Sequence, residues 1–287
     1  MISPQNRDDF SIGAELSESH IVGLSWSPPG LAKHRRCMLA VLTSNLILSF
    51  YQSIGQGKWV RVAIVNDSLK QHFSKDFPQT EMRTGIGLRK RNIRSFTWCP
   101  ALKIPDLGQQ QSNDNDNDSC GIPNPRSRWG IQLLTVTNDC NDVIVLEAQT
   151  AQTGRLDESG YCSIRILSTY LPPSDQDEKY PSAQSNSIFA SAMESRAKLL
   201  SIASGPWSVN TASTENIYRA TVSLAAIYGT RLELLKLDAT VTRGDQSQYE
   251  LDTTITEHSI SLSGRFMGPL QWLYTVSFKK RHYPHDR

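Results

Sequence analysis

The sequence predicts an all-β protein: a partial, WD40-like β-propeller with inserted loops and one short helix. Two observations carry this. A strand, a connector and a tight hairpin recur in the same order, and the tryptophans that close the first strand of each copy, Trp26 and Trp98, stand 72 positions apart (98 − 26). One four-stranded sheet cannot bury both of its faces, so a repeated sheet pattern implies neighbours stacked around an axis.

The first copy is the clearest. Val22, Leu24 and Trp26 alternate with Gly23 and Ser25, the period of a strand, and Pro28-Pro29-Gly30 stops it because proline has no N–H for a ladder. Cys37–Leu42, the corner Thr43-Ser44-Asn45, and Leu46–Tyr51 read as a hairpin, with Asn45 expected to take the left-handed conformation. Residues 59–65, beginning at Trp59, alternate well enough to be an outer strand. Phe10–Leu16 is a further strand candidate, placed on the blade before this one. The polar stretch from Asn66 to Lys90 is expected to be a charged loop. Its Gly85 and Gly87 miss a dinucleotide fingerprint, which needs a third glycine where Lys90 stands, and miss an acetyl-coenzyme A signature at Met82.

The second copy opens at Ile93–Pro100, repeating the order of aliphatic, hydroxyl, tryptophan, small residue and proline with Trp98 and Pro100 where the first has Trp26 and Pro28. Its hairpin comes after an insert: Ile131, Leu133, Thr135 and Thr137 alternate, Asn138–Asn141 turn, and Asp142–Leu146 return. The insert at 109–119, alternating Asp and Asn, has no apolar surface to bury and is expected to be disordered. It lacks the glycine and spaced glutamate of a calcium loop. Tyr161–Tyr170 is the outer strand.

The insert at 172–202 reads as a linker, and from Ile188 to Ile202 the apolar period becomes helical, with Ser187 as cap. Ile217–Tyr228, a Gly229-Thr230 turn and Arg231–Thr240 predict a long hairpin of a third unit, with Tyr249–Thr256 as its outer strand. Trp207 follows Pro206 instead of preceding a proline, so the tryptophan signature is blurred here. A fourth unit opens near Leu270–Phe278. Residues 1–287 are thus expected to form one incomplete propeller domain with units at about 10–66, 91–170, 200–257 and 260–287.

Composition narrows the function classes. With 38% hydrophobic residues a core is available, while a net charge of +2 is too small for binding driven by phosphate contacts. No apolar run reaches membrane-span length and no secretory signal opens the chain, so cytosol or nucleus is expected and no membrane partner. Five cysteines without a Cys-x-x-Cys pair suggest free thiols packed as small apolar groups, Cys37 and Cys99 among them. His282 and His285 lie in a basic tail without carboxylate or cysteine companions, and no metal site is expected. No nucleophile elbow, phosphate loop or zinc-protease motif occurs, and carboxylates such as Glu15, Glu18, Asp157 and Glu158 read as solvated surface. No catalytic residue and no cofactor are therefore assigned. The chemistry fits a scaffold whose rims and faces bind other proteins.

The residues from Gly23 to Asn45, with their Trp-Ser-Pro strand, the Gly-Leu-Ala-Lys-His-Arg-Arg connector and the Leu-Thr-Ser-Asn hairpin, are more specific than a generic repeat. They resemble the N-terminal propeller region of the fungal-type transcription factor IIIC 90 kDa (delta) subunit, and the likeness continues more weakly through Ser95–Pro100. The resemblance implies a nuclear scaffold subunit of the factor that serves RNA polymerase III at transfer RNA genes. Its partners would be other subunits and the polymerase machinery, with DNA reached only through the complex. It also implies an alternative, the histone acetyltransferase activity attributed to the family, but that activity is assigned to a zinc-binding region whose cysteine pairs have no counterpart here. The one functional-looking patch that matches the family is the connector Lys33, His34, Arg35 and Arg36. It reads either as a solvated loop or as a contact with an acidic partner surface or DNA phosphates.

Overall fold

A computed structural model of the chain describes residues 19–55, 57–75, 85–104, 128–150, 162–171, 199–210, 217–228, 231–243, 249–263 and 270–272. Among these described residues twelve strands form three four-stranded antiparallel sheets, each a meander of sequence neighbours. Blade one is β1 (Ile21–Trp26), β2 (Leu39–Thr43), β3 (Leu48–Gly55) and β4 (Lys58–Ile64). Blade two is β5 (Ile93–Trp98), β6 (Gln132–Asn138), β7 (Val143–Thr150) and β8 (Cys162–Tyr170). Blade three is β9 (Leu199–Asn210), β10 (Ile217–Tyr228), β11 (Arg231–Arg243) and β12 (Tyr249–Ser263). Two helices, α1 (Val65–Phe73) and α2 (Gly85–Arg91), join the first two blades.

The repeat is reproduced down to its irregularities. In blade one Ile21 faces Thr43, the register slips, and Trp26 pairs with Leu39. Blade two does the same with Ile93 facing Asn138 and Trp98 pairing with Leu134. The hairpins also match, closed by Thr43 N–H to Ile47 O (3.0 Å) and by Asn138 N–H to Asp142 O (3.2 Å). Their left-handed residues are Leu46 (φ 63°) and Asn141 (φ 68°). The sequence pattern places that residue one position early, at Asn45. Closure geometry overrides propensity here, because the Leu46 carbonyl is held by both Asn66 Nδ2 (2.9 Å) and Ile93 N (3.0 Å).

Two cores lie between the sheets. Met38, Ala40, Leu42, Leu48 and Phe50 of blade one meet Trp98, Leu134, Val136, Ile144 and Leu146 of blade two. On the other side Leu133, Val143 and Val145 meet Ile202, Tyr218, Val222, Leu224, Leu235 and Leu237 of blade three. Blade two is covered on both faces, which is why Val143-Ile144-Val145-Leu146 is an unbroken apolar run instead of an alternating one. Each such side chain taken fully out of water contributes about 1.5–3 kcal/mol, so inter-blade packing dominates cohesion.

Several expectations change. The charged loop placed between Asn66 and Lys90 is helical at Val65–Phe73 and Gly85–Arg91, the first because Val65, Leu69 and Phe73 recur at helical spacing and are buried against the first core; residues 76–84 lie outside the described residues. The inserted helix placed at 188–202 fails at its end: Leu199–Ile202 belong to β9, where Ile202 pairs with Ala226 and packs in the second core, so tertiary pairing overrides the helical period. Residues 188–198 of that prediction lie outside the described residues. So do the Phe10–Leu16 strand, the 109–119 insert, the Gly229-Thr230 turn, and the fourth unit beyond Trp272. Leu270–Trp272 are described, and they lie on the far side of β9: Leu270 N–H donates to Ser201 Oγ at 2.9 Å, and a Cβ on Gly205 would sit 2.9 Å from the Trp272 ring.

Candidate interaction surface

Leu31 and Ala32 are buried in the first core, and the chain then turns through a 3-10 segment, Lys33–Arg35. His34 (φ 56°, ψ 30°) and Arg35 (φ 59°) are both left-handed. Two consecutive side-chain-bearing residues in that region are costly and persist only where the surroundings over-determine them. Those surroundings are visible. Gly30 N–H donates to Arg35 O (3.0 Å) and Ala32 N–H to Arg36 O (2.9 Å). Lys33 N–H donates to Oε1 of the buried Gln52 (3.2 Å). Gln132 of blade two donates through Nε2 to Pro29 O (3.1 Å) and Trp129 O (2.9 Å), tying the connector of blade one to the matching loop of blade two. Gly30 has φ +116° and a Cβ there would lie 2.8 Å from Trp129 Cβ, so only glycine fits. A rigid knuckle results. All four side chains, Lys33, His34, Arg35 and Arg36, are exposed.

The knuckle has cationic neighbours that sequence reasoning missed. Arg128, exposed, lies over the Trp129 ring at 5.1 Å, and Trp129 abuts Gly30. Lys58 is exposed in the β3–β4 hairpin at the same end of the sheet. A signal was present in the chain: from residue 19 to residue 64 there are five lysines and arginines and not one aspartate or glutamate. Between 199 and 263 the balance reverses, with seven acidic residues against four lysines and arginines. The small net charge conceals a chain that is basic at blade one and acidic at blade three.

The four marker residues of the repeat occupy corresponding places with unlike surroundings. Trp98 is 9% exposed and stacks on Phe50 of the preceding blade at 5.3 Å between ring centroids. Trp207 of blade three also faces its predecessor, donating from Nε1 to the Pro100 carbonyl at 2.6 Å. The blurred third tryptophan is thus the same wedge in another register. Trp26 is 55% exposed and meets Trp59 of its own sheet at 5.9 Å. Pro28 accepts from Ser27 Oγ (2.9 Å) at the strand end, which helps turn the chain into the connector.

Other chemistry-bearing groups are structural. Cys37, Cys99, Cys140 and Cys162 are free thiols; burial raises the Cys99 thiol above its ordinary range and pushes Cys162 up to about 12. Such thiols are poor nucleophiles. Glu147, buried, is held by Arg165 at 2.7 Å. Among the described residues no three histidines, cysteines, aspartates or glutamates cluster as metal ligands; His282 and His285 lie outside them. No helix among the described residues is long and apolar enough to cross a membrane.

Three radial four-stranded meanders with a tryptophan wedge between successive sheets define a β-propeller protein. The particular family follows from the sequence as a whole. The model of the transcription factor IIIC subunit delta beta-propeller domain matches residues 1–282, and the chain belongs to that family. No curated protein matches it.

Proposed function

We propose that the chain is an interaction subunit of transcription factor IIIC acting in RNA polymerase III transcription in the nucleus, with residues 1–287 forming one propeller domain. It contacts other subunits of the factor and the polymerase machinery through protein surfaces, and DNA only through the assembly. Lys33, His34, Arg35 and Arg36 are among the contact residues. The observation that carries the reading is the knuckle: a strained backbone, fixed by hydrogen bonds from two blades, that presents four exposed basic side chains. Affinity purification of the tagged chain from nuclear extract tests it. Recovery of other subunits of the factor is expected; recovery of a different assembly would remove the reading.

A further inference from the structure

We propose that the rim where blade one meets blade two, made by Lys33, Arg35 and Arg36 with Arg128, is a docking site for an extended acidic peptide segment of a partner protein. This rests on the interaction-subunit reading and adds the chemistry of what is bound. The two loops that carry these cations are one rigid unit, because Gln132 bridges Pro29 and Trp129 and Gly30 is packed against Trp129. Rigidity matters because a cation held in place loses less freedom on binding than one on a free loop. None of the four forms an ion pair with another described residue, and blade one supplies no carboxylate to neutralise them. The Arg128 guanidinium carbon lies over the Trp129 ring, 5.1 Å from its centroid, a cation–π contact that limits its freedom and leaves N–H donors for a carboxylate fork.

Carboxylates suit this surface better than a nucleic acid. Phosphate-backbone binding needs a long track of cations. Among the described residues Lys33, Arg35, Arg36, Lys58 and Arg128 gather at one end of one seam, while other exposed cations such as Lys75, Arg165, Arg219 and Lys236 stand apart on other elements, and the chain turns acidic two blades on. A short acidic segment matches both the extent and the limits of the patch.

The test is fluorescence anisotropy on the full chain with three probes: a labelled Glu-Ser repeat peptide, its Gln-Ser counterpart, and a short labelled DNA duplex. The Glu peptide should bind and weaken as salt rises, the Gln peptide should not bind, and the duplex should bind less tightly than the Glu peptide. Arg35→Ser with Arg36→Ser should weaken the Glu peptide about tenfold, and Arg128→Ser alone severalfold. Circular dichroism melts of the same variants should match the parent, which separates lost binding from lost folding. Equal binding of the two peptides, tighter binding of the duplex, or unchanged affinity in the variants would each overturn the proposal. The broader reading is judged separately: if the parent chain recovers transcription factor IIIC subunits from extract and the double variant recovers them equally well, the docking site is wrong and the subunit role stands.

Discussion

Two basic clusters of nearly the same composition meet opposite fates. Lys33, His34, Arg35 and Arg36 sit at one end of blade one, and Arg89, Lys90, Arg91 and Arg94 sit around α2 and the start of β5 at the other. The second cluster is consumed by the fold. Lys90 Nζ binds Asp142 Oδ2 at 2.7 Å, Arg94 binds Asp139 at 2.6 Å, Arg89 Nη2 donates to Asp139 O at 3.1 Å, and Arg91 is buried with its carbonyl accepting from Asn66 Nδ2 at 2.8 Å. What separates the clusters is the supply of acceptors. The β6–β7 hairpin carries Asp139 and Asp142 into reach of α2, whereas the first copy of that hairpin has Ser44 and Ile47 at those places and blade one has no carboxylate at all. A run of cations is therefore structural or available according to what the fold brings to it.

The largest effects should come from breaking the consumed cluster. Asp142 is 1% exposed in its side chain, pairs with Lys90, and accepts from Asn138 Nδ2 (2.7 Å). Asp142→Ala leaves a half-buried ammonium and an amide without their acceptor, so a loss of about 3–5 kcal/mol is expected in urea unfolding. Asn66→Ala should approach the same size. Its Oδ1 accepts from Leu48 N–H (2.9 Å) and its Nδ2 donates to the carbonyls of Leu46 and Arg91, so one truncation takes a partner from three backbone groups, of which Leu46 O keeps Ile93 N–H. A loss under about 1 kcal/mol in both variants would mean that the two clusters differ less than their geometry says.

The tryptophans give the same comparison in apolar form. Trp98→Ala removes the wedge on Phe50 and should cost about 3–5 kcal/mol, while Trp26→Ala, at the equivalent register but more than half exposed, should cost well under half of that. Paired thermal melts decide it. Equal losses would show that Trp26 has a covering element that its exposure does not reveal.

How much of this could be read from the chain follows the same division. The period-two pattern and the tryptophan spacing located β1–β8 and β10–β12, because strand alternation is a local signal. They missed α1 and α2, since a helix of nine residues whose only buried apolar side chains are Val65, Leu69 and Phe73 looks polar throughout. They also mistook the start of β9 for a helix, where pairing with β10 outweighs a weak helical period. The knuckle was legible as a basic run, but its rigidity was not. Gln52, Gln132 and Trp129 lie far from it in sequence and are brought to it only by the packing of two blades.

Gly30→Ala addresses that rigidity directly. The added methyl meets Trp129 at 2.8 Å and the backbone stands at φ +116°, so a loss of about 2 kcal/mol is expected. The variant should also weaken the binding of an acidic peptide although every cation remains. Retained affinity would show that the rim needs only its charges and not their placement.

The smallest effect should have the opposite sign, and it is the sharpest contrast between the clusters. Arg35 holds φ 59° in the exposed knuckle, a conformation that glycine adopts without strain. Arg35→Gly removes a charge that no described residue neutralises and relieves part of that strain, while the freer unfolded chain offsets some of the gain. The expected outcome is a change between zero and about 1 kcal/mol in favour of the folded state, read as a small rise in the urea midpoint with an unchanged slope. The corresponding change in α2, Lys90→Gly, should destabilise, because it removes the Asp142 partner and places glycine within a helix. If Arg35→Gly instead costs as much as Lys90→Gly, the knuckle is held together by its arginine side chains and its exposure is not that of a surface kept for another molecule.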